Sequence, residues 1–334
     1  MNWREAHEEA MFAASQAHDE LEIETTRQID VFSAIASLGL DLIFRPLRDA
    51  SGLFFPGPTR AESGVLVTSN HPLAKQRFTA AHELAHFWLQ HVPKLDLNTE
   101  VLARDAISEL SPDEMVAEAF AAWFLMPPEL VDAALDELGV DSVSGPEDVY
   151  GLSLRMGTSY SATAYHLPNL KLIDYSTASR WAKEPPKRVK TSLSRGVEMG
   201  SYFKDVWSLT EKDSDRGFRV QTGDRFVVTL PEIPSSGYMW RAEELPGGAV
   251  VVADTMIDSL STPYAQESLI DGEAERPGGT YPRILIVDLG MSTGEGDIRL
   301  VKAPVWAPEM GADQFRVHID IEAPLLGRAL VVAE

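Results

Sequence analysis

Five ionisable side chains in two short stretches have the types and spacing of a metal site. In RFTAAHELAHFWLQH, residues 77–91, His82 and His86 are four apart. On a helix they stand one turn above the other, so both imidazoles can reach one ion. Glu83 lies about 100° round from His82, where its carboxylate can reach a water on that ion. The sequence has no cysteine, so nitrogen and oxygen must supply every ligand. Zinc suits such a set, because it takes imidazole and carboxylate ligands tetrahedrally and leaves one position for water in catalytic sites.

A third ligand has to come from elsewhere. His91 is nine residues from His82, and at about 100° per residue an unbroken helix would carry it to the opposite side, as a bystander. The three-histidine pattern H-E-x-x-H-x-x-G-x-x-H also fails, since Leu89 stands at its Gly and Val92 at its last His. SPDEMVAEAFAAWFLMP, residues 111–127, offers Glu114 and Glu118 one turn apart on a second helix. Glu114 can complete a two-His, one-Glu set. It can equally close a capping box with Ser111, with Pro112 at the first helical position. Glu118 would be left on an apolar turn by capping alone; it can accept the outer N–H of a metal-bound imidazole or compete for the metal as a ligand itself.

Around these stretches, periodicity predicts helices over residues 75–91, 112–126, 128–138, 146–156 and 160–169, preceded by three short strands in LDLIFRPL, GLFFPG and GVLVTS. Residues 180–196 carry six basic side chains and a Pro pair with little apolar periodicity, which reads as a linker. Beyond residue 200 the pattern turns to alternation in short runs between Gly and Pro turns, as expected of an antiparallel β-sandwich. The fold class expected is therefore an α+β domain over residues 1–180, a basic Pro-containing linker over 181–200, and an all-β sandwich over 201–334.

Composition narrows the function classes. The net charge of −22 sets up a field that repels polyphosphate backbones, so direct nucleic-acid binding is not expected. The amino terminus lacks the basic start and apolar run of a secretory signal. No stretch approaches the roughly 18 apolar residues of a membrane span, so a cytoplasmic protein with no membrane partner is expected.

QRFTAAHELAHFWLQH followed by DEMVAEAFAAWFLMP resembles the ImmA/IrrE family of metallopeptidases, with the signatures R-F-T-x-A-H-E-x-x-H and E-x-x-A-N-x-F-A-x-x-L-L-M-P. The similarity covers about residues 25–180. It implies a zincin-like domain with Zn2+ held by His82, His86 and Glu114, and Glu83 as catalytic base. Glu118 stands where the family usually has Asn. The implied activity is a regulatory cut in a protein substrate, typically a helix-turn-helix repressor of a stress, mobile-element or defence response. An extended substrate could pair with the edge of GVLVTS. Tyr160, Tyr165 and His166 are candidate oxyanion donors by residue type only.

LPEIPSSGYMWRAEE, RPGGTYPRILI and LVKAPVWAPE resemble, in order, the N-P-T-T-G-Y-x-W, Gly-Gly and R-P-W loops of chagasin-like cysteine-protease inhibitors, over about residues 203–322. This implies an immunoglobulin-like fold and a papain-like protease as a partner. Ser235 and Ser236 replace the two threonines, and Val305 is inserted before Trp306. The carboxy-terminal domain would then dock substrate, sense a signal or restrain the peptidase. The alternative function is an inhibitor or protein-binding module in which the zinc site is structural or inactive.

Overall fold

A computed structural model describes residues 1–48, 50–59, 62–91, 111–256 and 279–323. The chain divides into two compact units, Met1–Pro186 and Lys187–Pro324.

The first unit is built around two packed helices, one buried along a single face and the other on nearly every side. α1 (Trp3–Glu20) opens with a capping box between Asn2 and Glu5 and lays Ala6, Ala10, Ala13, Ala14 and Ala17 along one buried face. That alanine stripe admits a helix at close range. The helix it meets is α4 (Pro112–Leu125), buried continuously from Met115 to Leu125. A helix apolar on every side must be covered on every side, and α3 (Leu73–Trp88) covers it from another direction. His18 Nε2 lies 2.9 Å from the Phe124 carbonyl oxygen and His166 Nε2 lies 3.1 Å from that of Met126. These are carbonyls the end of α4 cannot satisfy itself.

α2 (Val31–Ser37) is capped by the Asp30 side chain. The three strands are β1 (Asp41–Arg45), β2 (Gly52–Phe55) and β3 (Gly64–Thr68), in the order β1-β3-β2, with β1 parallel and β2 antiparallel to β3. β3 is thus central, and the expectation of an open GVLVTS edge is wrong: both its sides are already paired, leaving β1 and β2 as edges. α5 (Pro128–Leu138) and α6 (Pro146–Met156) each open on a Pro, α7 (Tyr160–His166) is capped by Ser159, and all three follow as the apolar period predicts. α8 (Tyr175–Ala182) and α9 (Pro186–Leu193) occupy much of the stretch that reads as a linker. Asp174 caps α8 through the Ser176 and Thr177 N–H groups.

The second unit holds two four-stranded sheets, β5-β11-β10-β7 and β4-β6-β9-β8. Their strands are β4 (Val206–Thr210), β5 (Gly217–Gln221), β6 (Arg225–Glu232), β7 (Tyr238–Glu244), β8 (Val250–Met256), β9 (Tyr281–Asp288), β10 (Gly294–Pro304) and β11 (Asp313–Glu322). The sandwich is not wholly antiparallel, since β4 pairs with β6 and β11 with β5 in parallel. Alternation reports burial and is blind to strand direction, so the sequence pattern could not tell. Trp207, Phe218 and Phe226 meet between the sheets, with ring centroids 5.6 and 6.2 Å apart from Phe218.

Candidate metal centre

α3 is fixed before any ligand is considered. Arg77, 7% exposed, donates from Nη2 to the Ile29 carbonyl at 2.7 Å, and lies 3.4 Å from that of Met156, tying the helix to the starts and ends of its neighbours. On its other side α3 packs against β2 and β3. Gly52 makes this approach possible, because a Cβ there would stand 2.5 Å from Thr79 Cγ2.

On this helix His82 and His86 turn toward α4, with their Nε2 atoms 3.1 Å apart. Glu114 Oε2 lies 3.2 Å from His82 Nε2 and 3.7 Å from His86 Nε2. Among the described residues these three form one cluster able to hold a metal. Zinc with bonds of about 2.0–2.1 Å and tetrahedral angles separates its ligand atoms by roughly 3.3 Å, so the observed spacing fits that ion. Ser111 Oγ accepts the Glu114 N–H at 3.4 Å, while the Glu114 carboxylate is directed at the histidines. Ser111 therefore caps the helix, but Glu114 does not close the box: its side chain faces the cluster instead of returning to the Ser111 N–H.

Glu118 Oε2 lies 3.4 Å from His82 Nδ1. A proton on Nδ1 satisfies that carboxylate and leaves Nε2 with its lone pair toward the cluster. The same lone pair then faces the Glu114 carboxylate, which is also an acceptor, so either a cation or a second proton must lie between them. In the absence of metal the balance favours the proton. Burial works against charging His82, but the Glu114 and Glu118 hydrogen bonds and the Glu83 charge outweigh it and raise its pKa well above the usual imidazole range. Burial would likewise raise Glu114, yet His82 and His86 hold its carboxyl far below the ordinary value. Three carboxylates beside two imidazoles form a site whose negative charge a divalent cation largely offsets.

Glu83 is wholly buried, and its Oε2 accepts the Phe54 N–H at 2.6 Å. β2 thus fixes the carboxylate whose position on the helix the motif sets. His91 lies elsewhere than the unbroken helix would take it. α3 ends at Trp88, and the chain folds back so that the His91 ring touches His86, Nδ1 to Nδ1 at 3.1 Å. The angular expectation fails because the helix stops three residues short of His91, although His91 is not among the three clustered ligand candidates. Of the oxyanion candidates, Tyr160 donates to the Trp181 carbonyl at 3.0 Å, and His166 is buried against Trp123 and Met126.

In the second unit the strand following β6 turns through Pro234–Ser236 and Gly237, which has φ of 72°. A Cβ on Gly237 would lie 2.3 Å from Trp306 Cζ3. Trp306, 72% exposed, lies edge-on to Tyr238 with centroids 6.2 Å apart. Trp240 is the buried anchor of this hairpin, donating to the Pro231 carbonyl at 3.0 Å. Residues 276–278 of the expected Gly-Gly loop lie outside the described residues. No described helix is long and apolar enough to cross a membrane.

Residues 35–167 match the family described as the IrrE N-terminal-like domain, Peptidase M78. Residues 219–321 match the chagasin family of peptidase inhibitors, I42. Among solved structures the chain is similar to the cysteine protease inhibitor EhICP2 from Entamoeba histolytica, with 19% identity and a TM-score of 0.27 over 37% of this chain and 100% of that one. It is similar to PbICP-C, solved in complex with falcipain-2, with 15% identity and a TM-score of 0.20 over 36% and 91%. It is also similar to a Mycobacterium tuberculosis transcriptional regulator, with 13% identity and a TM-score of 0.32 over 87% and 81%. No curated protein matches the chain.

Proposed function

We propose that this chain, which joins an IrrE N-terminal-like domain of the M78 peptidase family to a chagasin-family domain, is a zinc-dependent endopeptidase that makes a regulatory cut in a protein substrate. One observation carries the reading: two imidazole nitrogens on the helix that bears Glu83 and a carboxylate oxygen from α4 converge at 3.1, 3.2 and 3.7 Å.

A zinc ion held by His82, His86 and Glu114 would supply an acidified water and a Lewis acid for the scissile carbonyl. Glu83 would serve as the general base toward the attacking water and return the proton to the leaving amine. Its bond from the Phe54 N–H restrains the carboxylate, so little reorganisation is needed as the proton moves. Glu118 holds His82 in the ligating tautomer. An extended substrate adding to the edge strand β2 would run beside Glu83.

The resemblance to ImmA/IrrE peptidases supports a helix-turn-helix repressor as substrate, in a stress, mobile-element or defence response. The sandwich would dock the substrate, sense a signal or restrain the peptidase. A second reading, inhibition of a papain-like protease by the sandwich, is favoured by the exposed Trp306 packed over Gly237 and Tyr238 and by the chagasin-family match.

Zinc analysis of the purified chain, with co-expression of candidate repressors, tests the first reading. Glu83→Gln should keep one zinc and lose cleavage, whereas Glu114→Ala should lose both. Cleavage that survives Glu83→Gln would remove the peptidase reading.

A further inference from the structure

We propose that His91 is a positioning residue of the metal centre, whose ring nitrogen holds His86 in the tautomer and orientation that metal binding needs. The proposal rests on the reading of His86 as a ligand.

The end of α3 explains how His91 arrives there. Leu89 is the C-cap, Gln90 takes the left-handed conformation with φ of 55°, and two backbone bonds close the turn. The Gln90 N–H donates to the Phe87 carbonyl at 3.2 Å and the His91 N–H to the His86 carbonyl at 2.9 Å. This is a Schellman turn, which carries the residue after the left-handed position back onto the third residue from the helix end. In most such turns the two side chains make an apolar contact. Here they are imidazoles with centroids 5.2 Å apart, and their Nδ1 atoms are 3.1 Å apart.

His86 points its other nitrogen at the cluster, with Nε2 3.1 Å from His82 Nε2. A ligating nitrogen must present a lone pair, so the His86 proton has to sit on Nδ1. That N–H then donates to His91 Nδ1, and His91 carries its own proton on Nε2. His91 cannot itself be a ligand in this arrangement, because it meets the edge of His86 that faces away from the cluster. Glu118 stands behind His82 in the same relation. Each ligating imidazole is thus backed by one acceptor, a carboxylate for His82 and a neutral ring for His86. The neutral acceptor adds no negative charge to a cluster that already has Glu83, Glu114 and Glu118.

The test uses the full chain as wild type, His91→Ala, His91→Asn and His91→Lys. Zinc affinity is measured by competition with a chromogenic chelator, alongside the visible spectrum of the cobalt-loaded protein and the melting temperature of the metal-free form. Asn places an Oδ1 acceptor where the His Nδ1 lies, whereas Lys offers only donors. His91→Ala and His91→Lys should bind zinc roughly 10–100-fold more weakly and shift the cobalt bands, and His91→Asn should recover most of the affinity and the wild-type spectrum. A role only in ending the helix would move the metal-free melting temperature and leave zinc affinity unchanged. Wild-type affinity in both His91→Ala and His91→Lys, or an Asn variant as weak as Ala, overturns the proposal alone. Wild type that binds neither zinc nor cobalt overturns the metal reading and the proposal with it.

Discussion

Gly52→Ala probes how closely β2 must approach the helix that carries Glu83. The added Cβ would lie 2.5 Å from Thr79 Cγ2, 3.0 Å from Glu83 Oε1 and 3.0 Å from the Leu66 carbonyl oxygen. Carbon atoms rest about 3.5–4.0 Å apart, so β2 and α3 must separate by roughly 1 Å. Thr79 cannot swing aside, because a β-branched side chain inside a helix has few allowed rotamers. The Leu66 oxygen belongs to the backbone of the central strand. Overpacking of this kind costs about 1–3 kcal/mol, and a shift of about 1 Å at Glu83 would slow turnover on the order of 100-fold. Thr79→Ser deletes the atom in the closest contact, so the double variant should recover part of the loss, with a coupling energy of about 1 kcal/mol or more. Hydrogen exchange of the α3 amides in the full chain measures the local stability of each variant. Additive effects of the two substitutions, or unchanged α3 protection in Gly52→Ala, would refute the packing argument.

Three further outcomes follow from the geometry. Burial, with the nearby His7 charge, pushes His166 down to about 3 against the support of the Met126 carbonyl. The folded state therefore binds fewer protons than the unfolded chain, and this contribution, complete above pH 6.5, falls by about 1.4 kcal/mol per unit as pH drops toward 3. Comparing wild type with His166→Gln across pH 7 to 4.5 should show a shallower decline in the variant, and parallel curves would count against it. In the second unit, burial and then the Asp205 charge push Asp224 up to about 6, despite N–H donors from Gln221, Asp205 and Trp207. Here the sign is opposite: the contribution is present below the unfolded carboxyl pKa of about 4 and lost as pH rises through 6. Exchange protection of β4 and β6 should therefore increase from pH 7 to 5, and no change would remove the assignment. Trp306→Ala should alter stability by less than about 0.5 kcal/mol, since the side chain is 72% exposed. If the sandwich binds a papain-like protease, the same change should weaken binding about 30-fold or more, measured by inhibition, and equal inhibition would exclude Trp306 from the contact.

The helices α4, α5 and α6 were legible because each carries a complete local signal, whereas α1 and α8 were not expected as helices. Pro128, Pro146 and the Ser111–Pro112 start open α5, α6 and α4, and the apolar period runs to the end of each. β4 (VWSLT) was not among the runs read as strands, and its place in the sheet comes from parallel pairing with β6, which the sequence pattern does not report. α9 escaped because its sequence is mostly polar, with Val189 and Lys190 as its buried residues. Its Lys190 ammonium is held by the Tyr202 and Lys204 carbonyls at 3.1 and 2.8 Å, contacts between residues too far apart for any periodicity to report.

At the site, the spacing of His82, Glu83 and His86 on one helix was decided by sequence alone, because helical pitch converts a separation of four into a shared face. The absence of cysteine likewise restricted the ligand chemistry before any fold was known. Which way Glu114 points is a different kind of fact: cap and cluster both lie within reach of its side chain, and only the packing of α4 on α3 directs the carboxylate to the histidines. The place of His91 is also tertiary, since it depends on where α3 stops and on the left-handed turn at Gln90, neither of which residue spacing reveals. Local geometry determines what a single helix presents, whereas its neighbours decide where it ends and what it meets.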